Sequence, residues 1–199
     1  QLEPGEHFQA GVDRGGGAVA AQRVADAEQQ GVVRQSAKGG GVIAAGDVAE
    51  AIEFARSSAS ERDLANLLEA QSAPLIVQGS FTLLWRAFEC VSTTTLGRRP
   101  LLRSLFARLN AHMGLPEEAI RRADAILRDP GQGGAVRAHC LLARLRALRL
   151  MGRMEDATAC AEQLKNLDCS FDPVLQCEVT YQIAEFELSV TRNFVNAAR

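Results

Sequence analysis

Along this chain a glycine and a few polar positions repeatedly give way to small apolar residues set four apart. The pattern reads Gly46-Asp47-Val48-Ala49-Glu50-Ala51 with Ala55 one turn on, then Gly114-Leu115-Pro116-Glu117-Glu118-Ala119 with Ala123, and Gly152-Arg153-Met154-Glu155-Asp156-Ala157 with Ala161. Weaker copies begin at Gly79, running through Leu84 and Phe88, and at Asn193. The starting points lie 33, 35, 38 and 41 residues apart. A spacing of four places side chains on one face of an α-helix. A period of about 34 residues is that of stacked helix–turn–helix units. The pattern therefore predicts an all-α fold, a solenoid of stacked antiparallel helical hairpins in which the alanines let paired backbones approach.

Local signals place the helices. Asp47 and Glu50 form a capping-box-like pair, and Ser60 with Asp63 repeats it ahead of Leu64-Ala65-Asn66-Leu67-Leu68. Gly79 stops that helix, and Ser80 is the expected cap of a helix from Phe81 to Val91. Pro100 opens a helix running to Met113, which Gly114 ends through a left-handed cap. Pro116 opens the partner helix, where Glu117–Arg121, Glu118–Arg122 and Asp124–Arg128 are i,i+4 pairs worth about 0.3 kcal/mol each. Helices over Ala135–Met151, Glu155–Leu167 and Pro173–Thr191 follow, with Asp172-Pro173 as a cap and first-turn pair. Pro74 predicts a kink or break, because a proline inside a helix costs about 3 kcal/mol. Thr93-Thr94-Thr95 is the expected loop between hairpins, and Asn193 to Arg199 the start of a further, unfinished hairpin, as in a piece of a longer protein.

Residues 1–41 are a different sequence, with Leu2 as the only leucine and glycine triplets at Gly15-Gly16-Gly17 and Gly39-Gly40-Gly41. They predict a poorly ordered or weakly helical segment, with Ala18–Gln30 as the helical stretch, preceding a repeat domain over 42–199. Net charge is −2, which excludes a global field for nucleic acid or membrane, yet the charge is unevenly spread. Gly97 to Lys165 carries 13 Lys and Arg against 7 Asp and Glu, a local +6. Five cysteines without a C-x-x-C pair read as buried reduced thiols. With neither a signal-peptide pattern nor a membrane-spanning run, the chain reads as cytoplasmic.

Catalytic and cofactor motifs are missing: there is no phosphate-cradling G-x-x-x-x-G-K-[ST], no G-x-S-x-G, no H-E-x-x-H and no zinc-type Cys/His spacing. The expectation is a non-enzyme with neither metal nor cofactor. One constellation carries chemistry. Registering the hairpins on Gly114 and Gly152 puts Arg108, His112, His139, Arg146 and Arg149 on the inner side of the stack. Such a basic groove suits an anionic ligand, an acidic peptide or a polyhydroxylated molecule. The alternative is that these arginines are solvated helix faces pairing with Glu and Asp of neighbouring repeats.

The stretch from Gly46 to Leu167, about 60% of the chain, resembles the tetratricopeptide-like sensor region of MalT-type transcriptional regulators of the LuxR family. The resemblance lies in Gly46-Asp47…Glu50-Ala51-Ile52…Ala55, Leu67-Leu68-Glu69, Gly79, Leu84-Trp85, Arg99-Pro100-Leu101-Leu102 and Gly114…Glu118-Ala119, in the family's order. It implies a sensor or protein-interaction region binding a small-molecule inducer or a protein or peptide partner, with self-association a further option. It also implies ATP and DNA binding, both through modules absent from these residues. The competing expectation is a free-standing tetratricopeptide adaptor that grips a peptide.

Overall fold

A computed structural model describes residues 45–58, 60–170 and 172–197. The segment 1–41, with the helix expected at 18–30, lies outside them. Every regular element among the described residues is an α-helix: α1 (Ala45–Ser58), α2 (Glu61–Val77), α3 (Phe81–Glu89), α4 (Thr93–Arg98), α5 (Pro100–His112), α6 (Pro116–Leu127), α7 (Gly134–Leu150), α8 (Met154–Lys165) and α9 (Pro173–Ala197).

The glycine punctuation works through one device used three times. Gly79, Gly114 and Gly152 have φ of 80°, 76° and 70°, where a Cβ would be strained. Past each glycine a backbone N–H reaches back five residues to the carbonyl of the finished helix: Ser80 to Leu75 at 2.9 Å, Leu115 to Asn110 at 3.0 Å and Arg153 to Leu148 at 2.9 Å. These bonds satisfy helix-end carbonyls and turn the chain into the next helix. Ser60 caps α2 as expected, its hydroxyl accepting from the Asp63 N–H at 3.3 Å. The Asp172 carboxylate likewise accepts from the N–H groups of Val174 and Leu175, both at 3.1 Å.

Several local expectations are corrected. Helix α1 is already under way at Ala45, so residue 47 lies inside the helix and not at the position before it. Ser80 makes no side-chain cap because the closure over Gly79 sets its backbone at φ −77°, ψ 46°. Helix α2 runs through Pro74; only three residues follow it in the helix. The threonine triplet is helical, since Ser92 accepts from the Thr95 N–H at 3.2 Å and starts α4. Helix α9 continues past Asn193 to Ala197, a stretch that lacks the glycine that ends the earlier helices. Of the ion pairs, Glu118–Arg122 forms at 2.6 Å, whereas Arg121 also turns to Glu118 and Asp124 pairs with Arg144 of α7. All five cysteines are free; Cys140, Cys160 and Cys169 are buried, but Cys90 and Cys177 are exposed.

With α4 set aside against α5, each helix packs on the next, and α1, α2, α5 and α7 also reach the one after it: α1 on α2 and α3, α2 on α3 and α5, α5 on α6 and α7, α7 on α8 and α9. Two leucine-rich cores result. Ile52, Leu67, Leu68, Leu84, Phe88, Leu102 and Leu105 fill the first. Phe88 stacks on Phe106 at 4.8 Å, and the Arg122 guanidinium lies 4.5 Å over the Phe106 ring. Leu141, Leu145, Leu148, Leu164, Leu175 and Phe186 fill the second. Between them α5, α6 and α7 meet along Ala107, Ala111, Ala119, Ala123, Ala143 and Ala147, none more than 1% exposed. Forcing a larger side chain into such a seam costs about 1–3 kcal/mol through displaced backbone and strained rotamers. Ala119→Leu is therefore expected to lower the unfolding free energy by that amount in urea titration, and the exposed Ala159→Leu to leave it nearly unchanged.

Candidate functional site

Alternate helices α5, α7 and α9 share one face, and the helical repeat decides what stands on it. Arg108 and His112 are one turn apart on α5, His139 and Arg146 two turns apart on α7, and Glu178 and Glu185 two turns apart on α9. At the inner end Arg108 is buried at 3% exposure, with its guanidinium between two partners. The Glu178 carboxylate takes it in a two-pronged pair, Nη2 to Oε1 and Nη1 to Oε2, the latter at 3.2 Å. Nη1 also lies 3.0 Å from Nδ1 of His139. An arginine only donates, so this geometry assigns Nδ1 the acceptor role and places the imidazole proton on Nε2. Burial, then the Arg108 charge, pushes the His139 pKa down to about 3, and the ring is neutral at pH 7. Burial likewise lowers the Arg108 pKa, against the opposing pull of Glu178.

The outer end is less completely satisfied. Arg149 reaches the Glu185 carboxylate at 3.2 Å. Arg146, three residues earlier, has a buried Nε with no hydrogen-bond partner; burial lowers its pKa, with Glu185 raising it and Arg149 lowering it. His112 stacks on Phe81 of α3, ring centres 4.8 Å apart, and its Nδ1 is buried without a partner. Burial first, then the charges of Arg146 and Arg108, lowers its pKa to about 4.

The five residues predicted from sequence thus fall into two groups. Arg108 and His139 form a sealed triad with Glu178, while Arg146 and Arg149 stand by Glu185 nearer the surface and His112 lies against Phe81 within reach of the Arg146 and Arg108 charges. The sequence reading missed Glu178, Glu185 and Phe81. The seven-residue spacing of the two glutamates, opposite a basic stretch, was the available signal.

Elsewhere there are two open depressions. One is lined by Glu61, Arg62, Thr95, Arg98 and Arg99, the other by Thr158, Glu162, Lys165, Phe186 and Glu187 among others. Among the described residues no three His, Cys, Asp or Glu side chains converge to hold a metal ion, and no helix is long and apolar enough to cross a membrane. No protein-family model, curated protein or solved structure matches the chain.

Two outcomes follow for the sealed triad. Glu178→Ala strands a buried guanidinium and is expected to cost about 3 kcal/mol or more in chemical denaturation, whereas Arg108→Met with Glu178→Leu, which removes both charges, costs far less. Because the folded His139 pKa lies below its ordinary 6.5, the unfolded chain takes up the proton first as pH falls. Stability is therefore complete above pH 6.5 and declines between 6.5 and about 3, at most about 1.4 kcal/mol per pH unit from this residue. Urea midpoints at pH 7.5, 6.0 and 5.0 should show that decline, and His139→Gln should make it shallower by about half, leaving the share of His112, whose folded pKa of about 4 acts in the same direction.

Proposed function

We propose that residues 42–199 build a tetratricopeptide-like solenoid acting as a non-catalytic sensor or protein-interaction region of a MalT-type LuxR-family regulator. The observation that carries the reading is the row of arginines and histidines assembled from α5 and α7 and met by carboxylates of α9. Residues from three alternate helices converge on one face, where a bound ligand touches all three. The packing of successive helices, with α1, α2, α5 and α7 also reaching the helix after next, and the recurring glycine caps support the stacked architecture. The ordered run from Gly46-Asp47 to Glu118-Ala119 supports the regulator.

In this mechanism a small-molecule inducer or a partner protein favours one docking of α9 over another and so shifts an equilibrium between closed and assembly-competent forms. ATP hydrolysis and DNA binding belong to other modules of such a regulator, which acts in the cytoplasm. One observation favours the second reading, a free-standing adaptor: Arg108 and Arg149 already hold glutamates of a helix, the chemistry an acidic peptide would bring. Scanning fluorimetry against sugars, aromatic acids and acidic peptides separates the two. A rise of about 2–4 °C with a small molecule at saturating concentration is the sensor outcome. A response to peptides alone is the adaptor outcome, and no response to either removes the recognition role.

A further inference from the structure

Resting on the reading of this face as a recognition surface, we propose that Arg146 and His112 form a receptor for the carboxylate of a small organic acid. On this face a carboxylate is what an arginine takes: Arg108 holds Glu178 and Arg149 holds Glu185. Arg146 stands beside them with no ion pair or hydrogen bond among the described residues, and its Nε is buried and unanswered. That Nε–H, with a neighbouring Nη–H, forms the side-on edge by which guanidinium grips a carboxylate in two parallel bonds. His112 supplies a second buried atom without a partner, Nδ1, on a ring held by its stack against Phe81.

The surrounding charges admit an anion. The groups that face the pair are Arg108 on α5, Arg149 on α7, and Glu178 and Glu185 on α9, and both glutamates are engaged by arginines. Three arginines stand against two glutamates, so an incoming carboxylate meets a net positive charge at Arg146, which Glu185 offsets only in part. His112 is neutral at pH 7 and adds a directional hydrogen bond, suited to a second carboxylate oxygen or an adjacent hydroxyl. Both unanswered atoms are covered while the rest of each side chain is partly exposed, so a carboxylate reaches them as the half-buried Arg146 side chain moves to admit it.

Calorimetric titration of the full chain with succinate and with its uncharged diamide, at matched ionic strength, tests the assignment. Succinate should bind one-to-one and the diamide should not. Arg146→Gln should weaken succinate by about 10–100-fold, the worth of charge-assisted bonds. The same variant should keep the wild-type fold by circular dichroism with an equal or higher Tm, since it removes a desolvated and repelled cation. Arg146→Lys, which keeps the charge and loses the fork, should fall between. Saturating succinate should also raise the His112 pKa from about 4 in imidazole NMR, because the anion offsets Arg146. Equal binding of succinate by Arg146→Gln and wild type, equal binding of the diamide, or no heat and no His112 shift would each overturn the assignment. A glutamate-rich peptide and the sugars of the fluorimetry, run in the same titration, keep the two readings apart: if either binds and succinate does not, the recognition face stands and this receptor falls; if none of them binds, both fall.

Discussion

Alanine against alanine is the contact on which the arrangement turns. At the junction of α5, α6 and α7 six alanines occupy positions four apart on three helices, and the three backbones close on one another across these methyl groups, with Ile126 and Cys140 filling the rest. The leucine-rich cores on either side are ordinary in composition and could be repacked with modest loss. The seam has no such freedom, because any added carbon must move a helix. It also fixes the rotation of α5 and α7. With their small faces turned inward to α6, the next face around each helix carries Arg108 and His112, or His139, Arg146 and Arg149. The steric rule that joins the two cores thus aims the polar side chains at α9.

That polar face holds a contrast. Arg108 lies in the interior with every obvious demand met, by a two-pronged carboxylate and a neutral histidine that accepts from it. Replacing buried charge with hydrocarbon often costs little stability, so such a triad is better understood as fixing position than as adding strength. It ties residue 108 to residue 178 across α7 and so fixes where the root of α9 sits. Two turns away the same kinds of residue are left with unanswered nitrogens. A protein that closes one arginine so thoroughly and leaves its neighbour open has separated structural from available charge.

How much of this was legible depended on how local each cause was. The caps at Gly79, Gly114 and Gly152 could be read directly, since a left-handed turn wants glycine and the next helix starts within a few residues. The alanine spacing could be read for the same reason. Thr93-Thr94-Thr95 misled because three β-branched residues suggest extended chain, while one serine hydroxyl at Ser92 was enough to start a helix. Pro74 does not break α2, because its cost matters less near the end of a helix already capped and packed. On the candidate site, registering on Gly114 and Gly152 brought Arg108 and His139 to the same side, where they touch. Glu178 stayed hidden, being 70 residues from its partner on a helix that no glycine registers.

Helix α9 is fastened along its length by attachments of graded character. Near its start Leu175 and Val179 are buried and Glu178 reaches the sealed Arg108; further on Glu185 meets Arg149 with its carboxylate 44% exposed, and Glu187 meets Lys165 at 53%. Dissolved ions screen the exposed pairs and hardly affect the enclosed one. Raising ionic strength therefore loosens the outer strapping of this helix, while the root at Arg108 and the buried Phe186 keep their hold.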